Sequence, residues 1–200
     1  MGSEPIESLV RLREQLQKLP GIGARSAERL AFHILKEPRE FAAALASAIL
    51  DVKDRVTHCR ICSNLTETDP CAICADPRRD PGEIWVVEQP KDVLALEATG
   101  LVHGAYHVLM GHIAPLEGVE PDHLTINALV QRVRTGAVRE VVLALNPTLE
   151  GDGTALHIRS LLSEWDVRVT RPARGLAVGS QIEYASVGML ESAIRGRTPL

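Results

Sequence analysis

The stretch Cys59-Arg60-Ile61-Cys62, followed after eight residues by Cys71-Ala72-Ile73-Cys74, holds every cysteine of the chain. Two C-x-x-C hooks across so short a loop have the spacing of a closed four-thiolate zinc site, each hook placing two sulfurs on one side of a tight turn. Eight residues are fewer than the longer zinc ribbons use, so the spacing predicts a compact knuckle rather than a domain. The loop from Ser63 to Pro70 is polar and turn-prone, as a connection between metal-bound ends should be. A pair of disulfides and a thioredoxin-type redox pair are the competing readings. Both fit less well: nothing in Met1-Gly2-Ser3-Glu4-Pro5 looks like a secretory signal, and a redox pair needs one C-x-x-C only. Coordination by Cys59, Cys62, Cys71 and Cys74 leaves no open position for water. One structural zinc per chain is therefore expected, its binding energy acting as folding energy for this segment.

Around the knuckle lie 200 residues, 45% of them hydrophobic, enough for one large or two small globular domains. No run approaches the roughly 20 apolar residues of a membrane span, so a cytoplasmic protein without membrane contact is expected. The formal net charge is −4, so any contact with nucleic acid has to come from local features. Over residues 1–55 nine Lys and Arg face eight Asp and Glu, which puts the acidic excess downstream. Aromatic residues make up 3% of the chain, too few for a base-stacking platform. Internal repeats and low-complexity runs are missing.

Upstream of the cysteines, Ile6, Leu9, Val10 and Leu16 lie near helical spacing, with Ser3-Glu4-Pro5 as a start signal. The pattern stops at Leu19-Pro20-Gly21-Ile22-Gly23 and resumes with Ala27, Leu30, Ala31, Ile34 and Leu35, an apolar stripe expected to face inward. A third helix is predicted with Phe41, Leu45, Ile49 and Val52 on one face. Gly21 and Gly23 let the backbone turn sharply and approach a phosphate closely, while the following helix offers free N–H groups and its positive dipole end. Arg25 and Arg29, four residues apart, share the face opposite the stripe. The stretch resembles the hairpin of a helix-hairpin-helix DNA-binding motif, which grips phosphate and ignores sequence. A plain Pro-Gly turn with solvated arginines is the bland alternative.

Downstream of Asp80-Pro81-Gly82, short apolar runs alternate with helical patterns, the texture of a parallel sheet covered on both faces. Residues 84–87, 108–110, 141–145 and 167–169 read as strands, and helices are predicted around Ile126 to Val133 and Ile158 to Trp165. Functional loops of such sheets leave the carboxyl ends of strands. Glu88 follows the first strand, and Glu150 and Asp152 lie in a stretch over 146–154 that leads into a helix. With the strands parallel and adjacent, the three carboxylates are expected to converge and to suit Mg²⁺. This arrangement is similar to a Toprim domain, in which a glutamate and an acidic D-x-D serve metal and acid/base roles. Here the second motif reads Glu150-Gly151-Asp152, and the longer arm at 150 works against that metal geometry. Capping of loops and of the following helix is the bland alternative for these acids.

Helix-hairpin-helix, four-cysteine knuckle and Toprim in that order resemble the RecR family of bacterial recombination mediators over essentially the whole chain. The agreement includes Leu19-Pro20-Gly21-Ile22-Gly23 with Arg25-Ser26-Ala27, and Asn146-Pro147-Thr148 before Glu150-Gly151. It extends to Gly175-Leu176-Ala177-Val178-Gly179, the start of a C-terminal Walker B-like segment. The resemblance divides the chain into a helix-hairpin-helix domain (1–55), a zinc finger (56–80), a Toprim domain (81–175) and a C-terminal segment (176–200). The implied function is non-catalytic: DNA binding in repair, and RecA loading at gapped or broken DNA with RecO and RecF. A ring-shaped tetramer around duplex DNA is also implied, which reconciles an acidic total charge with DNA binding because only the inner wall needs arginines. In that family the Toprim carboxylates are linked to partner recognition, here Glu88, Glu150 and Asp152. The C-terminal string Gly179-Ser180-Gln181-Ile182-Glu183-Tyr184 lacks the usual second glycine and acidic residue, so oligomer packing suits it better than nucleotide binding, with Glu183 as a remaining contributor. The rival function is a Mg²⁺-dependent nuclease using the same acidic edge.

Overall fold

Amphipathic stretches before residue 56 fold as helices, and the short apolar runs after residue 80 pair as one sheet. The computed structural model describes residues 6–199; the Ser3-Glu4-Pro5 start signal lies outside them. The chain divides into two compact units, Met1–Val56 and Thr57–Leu200.

The first unit holds α1 (Glu7–Gln17), α2 (Ala24–Lys36) and α3 (Arg39–Arg55). Helices α1 and α2 pack together, and Ala27 and Ala31 are buried, small side chains that let the helices approach closely. The inward stripe of α2 is shorter than the periodicity suggests, because Leu35 at its end is 63% exposed. Pro38 caps α3 in an extended conformation and breaks it from α2. The apolar face Phe41, Leu45, Ile49 and Val52 is present on α3, yet all four side chains are exposed within the chain.

In the second unit, β1 (Thr57–His58) and β2 (Leu65–Thr66) form a short antiparallel pair whose connection carries the first cysteine hook. The second hook opens α4 (Ala72–Ala75). Then follow β3 (Asp80–Val87), α5 (Pro90–Glu97), β4 (Gly104–Val108), α6 (Ile126–Arg134), β5 (Glu140–Leu143), α7 (Leu149–Leu162), β6 (Arg168–Thr170) and α8 (Val187–Arg195). The sheet order is β4-β3-β5-β6, with every pairing parallel. Alternation along β3 sends Ile84 and Val86 to one face, with Leu129 of α6 and Ile158 of α7. Trp85 and Val87 go to the other face, with Tyr106 and Val93 of α5. Both faces are thus covered, as the apolar runs predict.

Three local differences from the sequence reading have physical causes. The second strand lies at Gly104–Val108 rather than 108–110, because Met110 takes a left-handed φ of 67° that ends extended pairing. Helix α5 has too short an apolar pattern to register by periodicity. It starts on Pro90 and is closed by a reciprocal Gln89–Asp92 capping box. The stretch over 146–154 is mostly helix: Thr148 Oγ1 accepts from the Gly151 N–H at 3.1 Å and caps α7, so Glu150 and Asp152 stand in its first turn. Among the described residues, no helix is long and apolar enough to cross a membrane.

Candidate metal centre and nucleic-acid interface

The hairpin between α1 and α2 turns through Gly21, whose φ of 79° disfavours any side chain. Ile22 N–H closes the turn on Leu19 O at 3.1 Å. Gly23 is the N-cap of α2 and contributes no side-chain cap, and the first turn of α2 carries no acidic residue. Open space surrounds both glycines: a Cβ built at either would meet no atom within 4 Å. Arg25 and Arg29 are exposed, and among the described residues neither is in an ion pair. Uncapped amides, a bare backbone and two free guanidinium groups thus occupy one end of one helix, a combination suited to an anionic backbone.

The second unit brings all four cysteines together, with their sulfurs within 4.8 Å of one another. A tetrahedron with metal–sulfur bonds of about 2.3 Å puts sulfurs roughly 3.8 Å apart. Cys62 Sγ and Cys71 Sγ are separated by 3.6 Å, so the cradle has the size for zinc. None is oxidised to a disulfide. The Cys71 N–H donates to Cys59 Sγ at 3.3 Å, and the Cys59 N–H to Asn64 O at 2.8 Å, which fixes the first hook against the second. Crowding makes the thiols unequal: hydrogen bonding, above all from Cys74, lowers the Cys62 pKa to about 5. The Cys74 thiol is driven up by its bond to Cys62 and by burial, and Cys71 is raised by burial and its charged neighbour. Cys62 ionises readily, and Cys71 and Cys74 then resist. A divalent cation in place of the protons removes that conflict.

The three acidic residues are arranged differently from expectation. Glu88, only 3% exposed at the end of β3, accepts at Oε1 from the Asn146 N–H at 2.8 Å and at Oε2 from Asn146 Nδ2 at 2.7 Å, and His112 Nδ1 lies 3.1 Å from the same Oε2. Asp152 receives a two-pronged contact from Arg174, at 2.8 and 2.6 Å, with Arg171 at 3.6 Å; Arg174 first and then Arg171 hold its carboxyl below the usual range. Glu150 is exposed. Because residues two apart on a helix point in different directions, Glu150 and Asp152 diverge on α7 instead of converging. Among the described residues, the four cysteines are the only group of three or more Cys, His, Asp or Glu placed to share a metal ion. Sequence reasoning missed His112, Asn146 and Arg174 as partners of these acids. His112 and Asn146 follow strand ends, where the loop rule for α/β sheets directs attention.

Gly151 is what permits Glu88 and Asn146 to meet. A Cβ at this position would lie 2.1 Å from Asn146 O and 3.1 Å from Glu88 Oε1, whereas at Gly153 it would meet nothing within 4 Å. Gly151→Ala is therefore expected to cost roughly 1–3 kcal/mol through overpacking. Thermal unfolding should show Tm falling by several degrees, about 2–4 °C per kcal/mol for a chain of this size. Gly153→Ala, on the same helix, should leave Tm unchanged or raise it.

Residues 9–53 match the family described as RecR, helix-hairpin-helix; residues 56–76 match the RecR zinc finger domain, a finger built on four cysteines; residues 82–173 match the Toprim domain. Recombination protein RecR of Rhodopirellula baltica is 53% identical over 189 residues, covering 94% of this chain and 95% of that protein. The chain belongs to the RecR family. Recombination protein RecR of Desulforudis audaxviator is likewise 53% identical over 190 residues, with 95% and 96% covered, and that of Chloroflexus aurantiacus is 52% identical over 192 residues, with 96% and 94% covered.

Within this RecR-family chain the C-terminal segment is open. It holds Gly179 at φ 82°, a short turn through Glu183, and α8, which Ser186 caps by accepting from the Met189 N–H at 3.3 Å. Val178, Ile182, Tyr184, Val187 and Ile194 are all more than 60% exposed, an apolar surface without cover in a single chain.

Proposed function

We propose that this protein is a DNA-binding recombination mediator without catalytic activity of its own, acting in DNA repair in the cytoplasm at the nucleoid. The observation that carries the reading is the hairpin end of α2, where amides and guanidinium groups stand open and unpaired. Gly21, Gly23, Arg25 and Arg29 contact the sugar-phosphate backbone of duplex, gapped or single-stranded DNA without reading sequence. The segment 56–80 is stiffened by one zinc on Cys59, Cys62, Cys71 and Cys74. The domain 81–175 presents an acidic edge to RecO and RecF, and together they promote RecA loading. Segment 176–200, with its uncovered apolar residues, and the bare face of α3 pack against further copies to build a ring tetramer.

Support for an adaptor over a nuclease comes from the carboxylates. Glu88 is held by Asn146 and His112 and Asp152 is paired with Arg174, so neither carboxylate stands free of protein partners for Mg²⁺. The zinc-loaded protein incubated with labelled nicked and gapped DNA in the presence of Mg²⁺ should retain the DNA intact. Mg²⁺-dependent cutting that disappears in Glu88→Gln would reverse the assignment in favour of the nuclease.

A further inference from the structure

β4 is an edge strand, and an unprotected edge offers its backbone to water or to another chain. Here the edge is closed. The Leu109 N–H donates inward to Val87 O at 2.9 Å, so by strand alternation Tyr106 and Val108 direct their backbone groups outward. The Val108 N–H donates to Cys62 O at 2.8 Å, so a cysteine hook is itself the cover. Two residues earlier, Tyr106 O accepts from Arg132 Nη1 at 2.7 Å. A cysteine of the cradle and a guanidinium from α6 thus grip the same strand side by side. Ile73, inside the second hook, packs both among the cysteines and against the cluster that holds Tyr106 and Val108.

Arg132 has no carboxylate partner among the described residues. It is half-buried, and burial draws its pKa down; the charges that oppose this are those of Cys74, Cys62, Cys59 and Cys71. The neighbouring His107 does not share the positive charge. Its Nε2 faces Thr125 O and Oγ1 at 3.0 Å, its Nδ1 is 3.4 Å from Arg132 Nη1, and burial lowers its pKa to about 4. Zn²⁺ on four thiolates is a dianion. Such a centre, withdrawn from water, gains from a fixed cation in its outer shell, and Arg132, without a carboxylate partner among the described residues, binds β4 two residues from the amide that Cys62 O receives.

We propose that Arg132 is the counter-charge of the zinc–thiolate centre and the positioning residue that locks the knuckle onto the edge of β4. The inference rests on the assignment of a structural zinc, and its test separates the two. Full-length wild type and Arg132→Gln are prepared zinc-replete, their zinc content is measured, and each is titrated with a chromophoric zinc chelator near neutral pH. Glutamine removes the charge and ends two bonds short of Nη1, whereas lysine keeps the charge, so the two variants together separate charge from the contact to Tyr106 O. Arg132→Gln should surrender zinc at chelator concentrations about ten- to a hundredfold lower than wild type, while Arg132→Lys stays within roughly threefold. Circular dichroism of the zinc-loaded forms should coincide, and the Val108 amide should exchange faster in Arg132→Gln. Wild type without zinc overturns the metal assignment itself. Wild type with about one zinc and a folded Arg132→Gln within roughly twofold of it overturns the role of Arg132. Should Arg132→Gln fail to fold, Arg132→Lys decides: near-wild-type retention supports the counter-charge, and a loss of about tenfold or more overturns it.

Discussion

Changing Arg25 and Arg29 together to alanine is expected to weaken duplex DNA binding by on the order of tenfold or more, and by the same factor for every sequence tried. The uniformity follows from the chemistry of the groups that meet. In the proposed interface the guanidinium groups at the start of α2 meet phosphate and not base edges, so they would carry no sequence information. Each phosphate that the variant no longer neutralises means about 0.9 fewer counterions released, so the slope of log K against log salt should become shallower by roughly two for each hairpin engaged. Measuring affinity at several salt concentrations separates this from a general loss of folding, which would reduce the active fraction and leave the slope alone. Both side chains are exposed and, among the described residues, in no ion pair, so the double variant should also unfold at the wild-type temperature. Wild-type affinity with an unchanged slope would move the DNA interface to another part of the chain.

Cys62→Ser is expected to strip the chain of its zinc, from about one per chain to nearly none, and to lose the fold of the knuckle. The cluster around the cysteines has little else to hold it: its apolar members are the cysteines themselves and Ile73. Metal binding worth roughly 10–16 kcal/mol in small zinc modules is comparable to the whole stability of an ordinary domain. Cys62 is also the residue whose carbonyl receives the Val108 N–H, so the damage should reach the edge of β4. Metal analysis and hydrogen exchange read both consequences. A metal-free Cys62→Ser protein with wild-type exchange across 57–76 would show that the thiolate cage does not hold this segment.

Among the functional residues, those that act through spacing along the chain were legible from the start. The four cysteines lie in two hooks whose internal separation is set by local backbone geometry, so their gathering around one ion follows from the string alone, and the sulfurs do meet. Gly21 is legible for the same reason, since the turn it permits is a matter of φ at a single residue. Short apolar runs and the 3.6-residue period likewise announce β3, β5, α2 and α6. The acidic edge was another matter. Reading 146–154 as a loop let Glu150 and Asp152 swing towards Glu88; one hydrogen bond, from the Gly151 N–H to Thr148 Oγ1, winds that stretch into α7 and turns the two acids apart.

What the amino-acid order by itself determined is therefore the list of parts: a glycine hairpin with arginines, a thiolate cage, and a parallel sheet with carboxylates near its strand ends. Only the tertiary structure decided which charges face each other. Glu88 meets Asn146 and His112, Asp152 meets Arg174, and Arg132 binds Tyr106 O on β4, two residues from the amide that Cys62 O receives. These pairings span 22 to 58 residues of sequence where distances are measured, and no local periodicity encodes them. They arise because packing both faces of the sheet brings strand ends and helix starts together, and each ionised or polar group stranded there must find a partner or remain in water.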